Sequence, residues 1–483
     1  MNKKMVYNIL LKLMAVEGML LLIPVLVSLW YGESCWKDFL IVAVLLIVVG
    51  LGFSHKQPEN QNIYAKEGLF IVGLVWILWS FFGCIPFVIS GAIPNLVDAF
   101  FETVSGFTTT GASILTEIES LPRGILFWRS FTHWIGGMGV LVFVLAIIPL
   151  ANDRSMYLMR AEVPGPTVGK LVPKTMETAK ILYGMYIVLT VTEMVLLLLG
   201  GLPIYDSVVT AFGTAGTGGF SVMNSSIGAY DSAYVDGVIT VFMLLFGLNF
   251  NLYYLILLRK FSQVLHSEEL WVYLGIVAAM ITAITINIRS LYPSILTAFR
   301  YAAFQVASLI SSTGFVTADF AQWPYFSQTL LLLIMFLGAC AGSTGGGIKV
   351  ARVIIIAKSI VREMRHMIKP RSVSVIRMDG KTVEEDTVQG VHTYMLFYVV
   401  ILFFSVLLVG VNGYDLTTTV SAVVTCLNNM GPGLGTIVGP SGNFASLSVL
   451  SKLVLCLDML IGRLEIFPIV LLFMPSMWQK KSL

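Results

Sequence analysis

Apolar residues fill this chain in long runs, and polar residues interrupt them at recurring places. Asn8 to Trp30, Ile181 to Ile204, Ala233 to Leu258 and Gln389 to Val411 each reach the roughly 20 residues that a helix needs to cross a bilayer. Strands of a membrane barrel would be shorter and would alternate apolar with polar. The pattern predicts an all-α polytopic membrane protein.

Two predicted helices, about 8–30 and 38–53, come first. A three-part unit then recurs four times: a spanning run, a short amphipathic segment ending in a polar glycine stretch, and a second spanning run. The copies cover about 66–90, 96–110 and 124–150; 181–204, 206–217 and 233–258; 270–289, 296–313 and 326–357; and 389–411, 415–429 and 448–475. Each short segment is too brief to cross alone, so it enters and leaves on one face. The implied division is an N-terminal two-helix extension (1–60) and four repeats (61–150, 151–265, 266–385 and 386–483) set pseudo-symmetrically around a centre.

The repeat is clearest where each short segment ends. FTTTGAS (107–113), TAGTGGF (214–220), ISSTGFV (310–316) and LNNMGPG (427–433) align so that Gly111, Gly218, Gly314 and Gly431 superpose. One glycine in a membrane helix is readily explained by close helix packing. Four at the same place in four like units form an internal repeat. Irregular backbone at membrane depth requires burial in protein or a water-lined cavity. Four such loops around one axis provide rings of carbonyl oxygens that can replace the hydration shell of a small cation. The candidate cation-binding residues are Thr109, Thr110, Gly111, Thr217, Gly218, Thr313, Gly314, Asn429, Met430 and Gly431. Glycine supplies the left-handed backbone that aims successive carbonyls at one line. Each short helix also points its partly negative end at that place. The oxygens are uncharged, which favours a monovalent ion over calcium; this reading leaves potassium and sodium undecided.

Composition agrees: 57% of residues are hydrophobic, 12% are charged, and the mean hydropathy is +0.86. The five cysteines are scattered and imply neither a disulfide framework nor a zinc site. The N-terminus resembles a signal peptide, but its apolar run is long and no small-residue cleavage site closes it, so it is expected to be an uncleaved first span. Charge distribution sets the orientation. Nine Lys or Arg residues lie between Lys349 and Lys381 and five between Arg154 and Lys180, whereas Tyr205 to Gly237 and Tyr414 to Ser451 carry none. The positive-inside rule makes the first pair cytoplasmic and the second external, with both termini cytoplasmic.

Two features point to control of a pathway. GACAGSTGGGIK (338–349) has five glycines in twelve residues in the middle of the predicted last span of repeat three. At about 1 kcal/mol each relative to alanine, they favour a break into a loop below the filter. A tight crossing through Gly338 and Gly342 is the alternative. Arg463 lies well inside the last span, where a charge is costly and points to function. It is expected to face the axis as a barrier to cations, the alternatives being a pair with Asp458 or Glu465, or snorkelling to the cytoplasmic face.

The strings FFETVSGFTTTGAS, RSFTHWIGGMGV (129–140), GTGGFSVMNSSIG (216–228), GLNFNLYY (247–254), AGSTGGGIKVAR (341–352), LNNMGPGLG (427–435) and MLIGRLEIF (459–467) resemble the Trk/Ktr/HKT superfamily of cation transporters, closest to its TrkH-type membrane subunits. The resemblance spans all four repeats. It implies a two-helix potassium-channel unit repeated four times, with one principal glycine per filter loop. Glycine at 111 then implies potassium as the transported ion, held at the filter residues named above, and the N-terminal pair of helices fits the TrkH type. Repeat two departs from the family by a less hydroxylated loop. Family members also gate the pore with an intramembrane loop and carry a matching arginine. This implies gating roles for Gly342, Gly345, Gly346, Gly347, Lys349 and Arg463. The implied setting is the bacterial cytoplasmic (inner) membrane. The implied partners are a second copy of the chain, in a homodimer, and a cytosolic ring of RCK/KTN-type, TrkA-like nucleotide-binding subunits. The basic segment 358–381 is the surface for that ring, although ordinary positive-inside bias also explains its charge. No phosphate-binding glycine motif occurs in the chain, so nucleotide control belongs to a partner. No bound organic cofactor and no nucleic-acid partner are expected.

An enzyme is the competing class. The five histidines are far apart, no H-E-x-x-H motif occurs, and no nucleophile–base arrangement is visible. A secondary symporter coupling potassium to protons or sodium is closer in physics, but such transporters usually show two related halves rather than four quarters. A sodium-permeable member of the same superfamily is the other alternative.

Overall fold

The computed structural model describes residues 1–55, 58–60, 63–139, 175–371 and 374–475. It is helical, with one two-stranded hairpin pairing Arg377–Met378 with Lys381–Thr382. The predicted continuation of repeat one's second span to 150, the boundary at 150/151 and most of the basic stretch 154–180 lie outside the described residues.

Among the described residues, six helices are long and apolar enough to cross a membrane: Lys3–Trp30, Trp36–Ser54, Ala65–Ile89, Lys180–Leu199, Glu268–Leu291 and Glu385–Gly410. The first is the N-terminal span. It packs along Trp36–Ser54, with Asn8 Nδ2 donating to the Ser54 carbonyl at 2.9 Å. The last four are the first helices of the repeats. They present apolar side chains outward, such as Leu396, Phe403 and Leu407 at 66–69% exposure, as a surface solvated by lipid does.

Inside them sit four short pore helices, Leu96–Phe107, Ile204–Ala215, Ile295–Ile310 and Leu416–Leu427. Their N-termini are fixed by capping side chains or a proline, the residue types that satisfy or omit the first free N–H groups. Asn95 accepts from Val97 N at 2.8 Å, Ser294 from Thr297 N at 3.1 Å and Asp415 from Thr418 N at 3.0 Å, while Pro203 precedes Ile204.

The second helices are where sequence and structure part. Repeat three breaks as expected, into Tyr325–Phe336 and Val350–Ile368 around a non-helical segment. The spans expected to run unbroken over 233–258 and 448–475 are also broken. In repeat two, Ala233–Phe246 and Phe250–Leu257 meet at 90°. In repeat four, Val449–Arg463 and Phe467–Leu472 are separated by Glu465 and Ile466 at φ 55° and 72°. The freed backbone groups in repeat two find partners in repeat three. Cys340 N donates to the Gly247 carbonyl at 3.0 Å and Phe250 N to the Gly342 carbonyl at 3.1 Å. A membrane-depth break is tolerable only with such compensation.

Candidate functional site

Each pore helix ends in the same way. A residue in the left-handed region terminates it: Thr109 (φ 55°), Thr217 (φ 54°), Ser312 (φ 61°) and Asn429 (φ 53°). The next N–H reaches back five residues: Thr110 to Ser105, Gly218 to Gly213, Thr313 to Ser308 and Met430 to Thr425, at 2.8–2.9 Å. This is the bond pattern that closes a helix through a left-handed cap. The following residue in each loop is Gly111, Gly219, Gly314 or Gly431, and the first three have φ of 79°, 77° and 81°.

That register corrects the sequence alignment in repeat two. The structural counterpart of Gly111 is Gly219, while Gly218 corresponds to Thr110, Thr313 and Met430. Two adjacent glycines made either alignment acceptable as a string, and only the helix cap distinguishes them.

The four loops form a closed ring in chain order. A Cβ added to Gly111 would collide with the Gly218 carbonyl, and one on Gly219 with the Thr313 carbonyl. One on Gly314 would lie 2.9 Å from Gly431 N, and one on Gly431 3.1 Å from the Gly111 carbonyl oxygen. The sequence-selected filter residues are therefore brought together. Side chains behind the ring repeat as well. Thr108 Oγ1 donates to the Val104 carbonyl and pairs with Thr110 Oγ1; Ser311 Oγ does the same with Ala307 and Thr313, all at 2.7–2.8 Å. Asn428 Nδ2 takes this place in repeat four, donating to the Val424 carbonyl at 2.8 Å. In repeat two the corresponding residues are Gly216 and Gly218, and the His133 ring fills the space against Gly218.

Among the described residues, none hydrogen-bonds to the main-chain carbonyl oxygens of residues 109–111, 217–219, 312–314 and 429–431. Most of these residues are buried, with Gly111 and Gly219 half-buried. Buried carbonyls are ordinarily paired, so a ring of unpaired ones is a concentrated field of partial negative charge.

The glycine-rich segment lies directly under this ring. Gly346 N donates to Ser312 Oγ at 2.6 Å, and a Cβ on Gly345 would sit 2.8 Å from the Ser311 carbonyl oxygen. Its ends are drawn together by Gly338 N donating to the Ile348 carbonyl at 2.7 Å. Buried Glu269 accepts from both Ala341 N (2.7 Å) and Ala351 N (3.1 Å). Lys349 is buried with its Nζ on the Gly345 carbonyl.

Arg463 reaches across the molecule from repeat four. Its Nη1 donates to the Thr344 carbonyl at 2.7 Å, and its Nη2 to the carbonyls of Gly136 and Gly137, the latter at 2.6 Å. It thereby ties the loop of repeat three to the helix end of repeat one. Of the acidic residues weighed as its partners, Glu465 accepts from Arg352, with Nη1 at 3.1 Å, and Asp458 from Ser405 Oγ at 2.6 Å.

A sequence profile described as TrkH, cation transport protein, matches residues 37–275 and 264–482. The chain is 36% identical over 467 residues to the Trk system potassium uptake protein TrkH of Salmonella typhimurium, covering 95% of this chain and 96% of that protein. It is 35% identical to the protein of the same name from Halomonas elongata, covering 99% and 100%. The crystal structure of the potassium transporter TrkH from Vibrio parahaemolyticus superposes with a TM-score of 0.88 at 32% identity, over 99% of this chain and all of that one. The chain belongs to the TrkH family.

Several residues of this TrkH-family site were not selected from the sequence. Gly219 was hidden by its neighbour. Glu269 stands in the first turn of Glu268–Ile288, where an acidic residue is ordinary and draws no attention. Glu102, Arg129 and His133 lie within strings that carried the family resemblance, yet none was assigned a role. Arg129 had a usable signal, since an arginine inside an apolar span is itself a pointer.

Proposed function

We propose that this TrkH-family chain takes up potassium across the bacterial cytoplasmic membrane, through the axis of the ring formed by Gly111, Gly219, Gly314 and Gly431. The observation that carries this reading is the closed ring of buried carbonyls to which no described protein donor hydrogen-bonds. Dehydrating a cation in a low-dielectric medium costs on the order of tens of kcal/mol, and such a ring offsets that cost with fixed oxygens. The four pore-helix ends add their partial negative charge. The relatives named as potassium uptake proteins support potassium as the ion.

In this reading, Gly342, Gly345, Gly346, Gly347 and Lys349 form a gate beneath the filter, and Arg463 is its electrostatic barrier. Support comes from the position of the loop against Ser311 and Ser312 and from the three backbone carbonyls bound by the guanidinium. The termini face the cytoplasm. A cytosolic nucleotide-binding ring docks on the basic surface around Val350–Ile368 and the hairpin, where Arg365 and Arg377 are exposed. The chain works as a homodimer, each copy made of the two-helix extension and four repeats with the boundaries given above.

Growth of an uptake-deficient bacterium on limiting potassium tests the reading. Rescue by this chain, competed by rubidium and weakly by sodium, is expected. Absence of rescue by chain present in the membrane, or equal competition by sodium, would contradict it.

A further inference from the structure

The ring is held from behind by unequal means, and the inequality is informative. Glu102, on the first pore helix, stands nine residues before Gly111. The residues nine before Gly219, Gly314 and Gly431 are Thr210, Gln305 and Ala422. Gln305 Nε2 reaches Thr317 Oγ1 at 3.3 Å, and in repeat four Ser421 Oγ reaches the Leu434 carbonyl at 3.0 Å. Each bond holds the chain three residues past its filter glycine. Glu102 does the same for repeat one, accepting from Ile114 N at 2.9 Å and from Ser113 Oγ at 3.0 Å. Only here does the side chain carry a charge.

That charge is answered by Arg129. Its Nε donates to Glu102 Oε1 at 2.5 Å, and both side chains are at most 3% exposed. Its Nη1 donates to the Ser221 carbonyl at 2.9 Å, two residues past Gly219, and its guanidinium lies 3.6 Å from the Phe220 ring centre. One planar group thus grips the exit strand of loop one, through the carboxylate, and the exit strand of loop two directly. Ion pairs also join repeats two and three (Arg300 Nε to Asp236 Oδ2, 2.6 Å) and repeats four and one (Lys452 Nζ to Asp98 Oδ1, 2.6 Å), but they hold the pore helices. The segments past the filter glycines are joined there by neutral bonds, Gly228 N to the Val316 carbonyl at 3.1 Å and Phe444 N to the Ser113 carbonyl at 2.8 Å. Repeat two also lacks the hydroxyls that brace loops one and three, so it has the greatest need of an external brace.

We propose that Arg129 and Glu102 are positioning residues for ion selectivity: the buried pair sets the spacing between filter loops one and two, and so decides how well the ring rejects the smaller sodium ion. This rests on the filter reading above. A ring held rigidly at the spacing of the larger ion cannot close on sodium, whereas a loosened seam can. The guanidinium fork reaches both loops at once; an ammonium is a point donor and cannot span them.

The test is the potassium-to-sodium permeability ratio, from reversal potentials in planar bilayers, for wild type, Arg129→Lys, Glu102→Gln and Gly111→Ser. Arg129→Lys keeps the charge but loses the bridge, and should lower the ratio by about tenfold, the discrimination that one charge-assisted hydrogen bond is worth. Glu102→Gln keeps one acceptor oxygen and should lower it less. If Arg129→Lys fails to accumulate in membranes, Glu102→Gln decides by the same ratio. An unchanged ratio in the deciding variant, with a lowered one in Gly111→Ser, overturns this role and leaves the filter standing. Ratios unchanged in all three variants would remove the filter reading itself.

Discussion

In the proposed reading Arg463 places a positive charge just below the cation filter, where its guanidinium donates to three backbone carbonyls. Two unit charges about 8 Å apart repel by about 2 kcal/mol at an effective dielectric of about 20. Replacing Arg463 with alanine should therefore raise potassium influx into proteoliposomes by about thirtyfold; wild-type influx would argue against a barrier. Gly219→Ser is the matching prediction in the filter. At φ 77°, with the Thr313 carbonyl against its Cα, a side chain there distorts the ring. It should reduce rubidium uptake at least as severely as Gly111→Ser, and normal uptake would restore Gly218 as the principal glycine of repeat two. Three of the four ring glycines were legible because glycine is rare at the end of a helix without a conformational reason. The fourth was not, because adjacent glycines carry no register until the cap at Thr217 is seen.

At the scale of elements, the second helices matter most, because their described breaks, in repeats two, three and four, meet one another beside the ring of glycine loops. The glycine run of repeat three announced its break through helix propensity. The 90° bend in repeat two did not, since only Gly247 and Asn249 mark it within an otherwise apolar run, and its backbone partners come from repeat three. The break after Arg463 depends on left-handed Glu465 and Ile466, residue types that do not advertise that conformation. Glu269 joins these elements by holding both ends of the repeat-three loop. Glu269→Ala would orphan two buried N–H groups, at about 1–3 kcal/mol each. It should lower the thermal midpoint of the purified protein and increase the accessibility of a cysteine placed at Ser343 to a water-soluble reagent. A loop equally protected in the variant would mean that Glu269 is not its latch.

The whole molecule is one simple unit used four times and then made unequal. Hydropathy alone outlined the four units, because spans and pore helices differ in length and the bilayer fixes both. The loop of repeat three was announced by its glycines, but two inequalities among the described residues were not legible: the charged brace Glu102–Arg129 behind loops one and two, and a histidine in place of hydroxyls in repeat two. They arise from contacts between repeats, which no local pattern encodes. The central claim is that the main-chain carbonyl oxygens of the four loops, which accept from no described donor, hold a dehydrated monovalent cation. Anomalous diffraction from crystals grown in thallium or rubidium salt tests it most directly. The account predicts anomalous peaks on the central line, enclosed by the backbone of 109–111, 217–219, 312–314 and 429–431. Well-ordered crystals with no peak inside that ring, or with peaks only elsewhere, would contradict it.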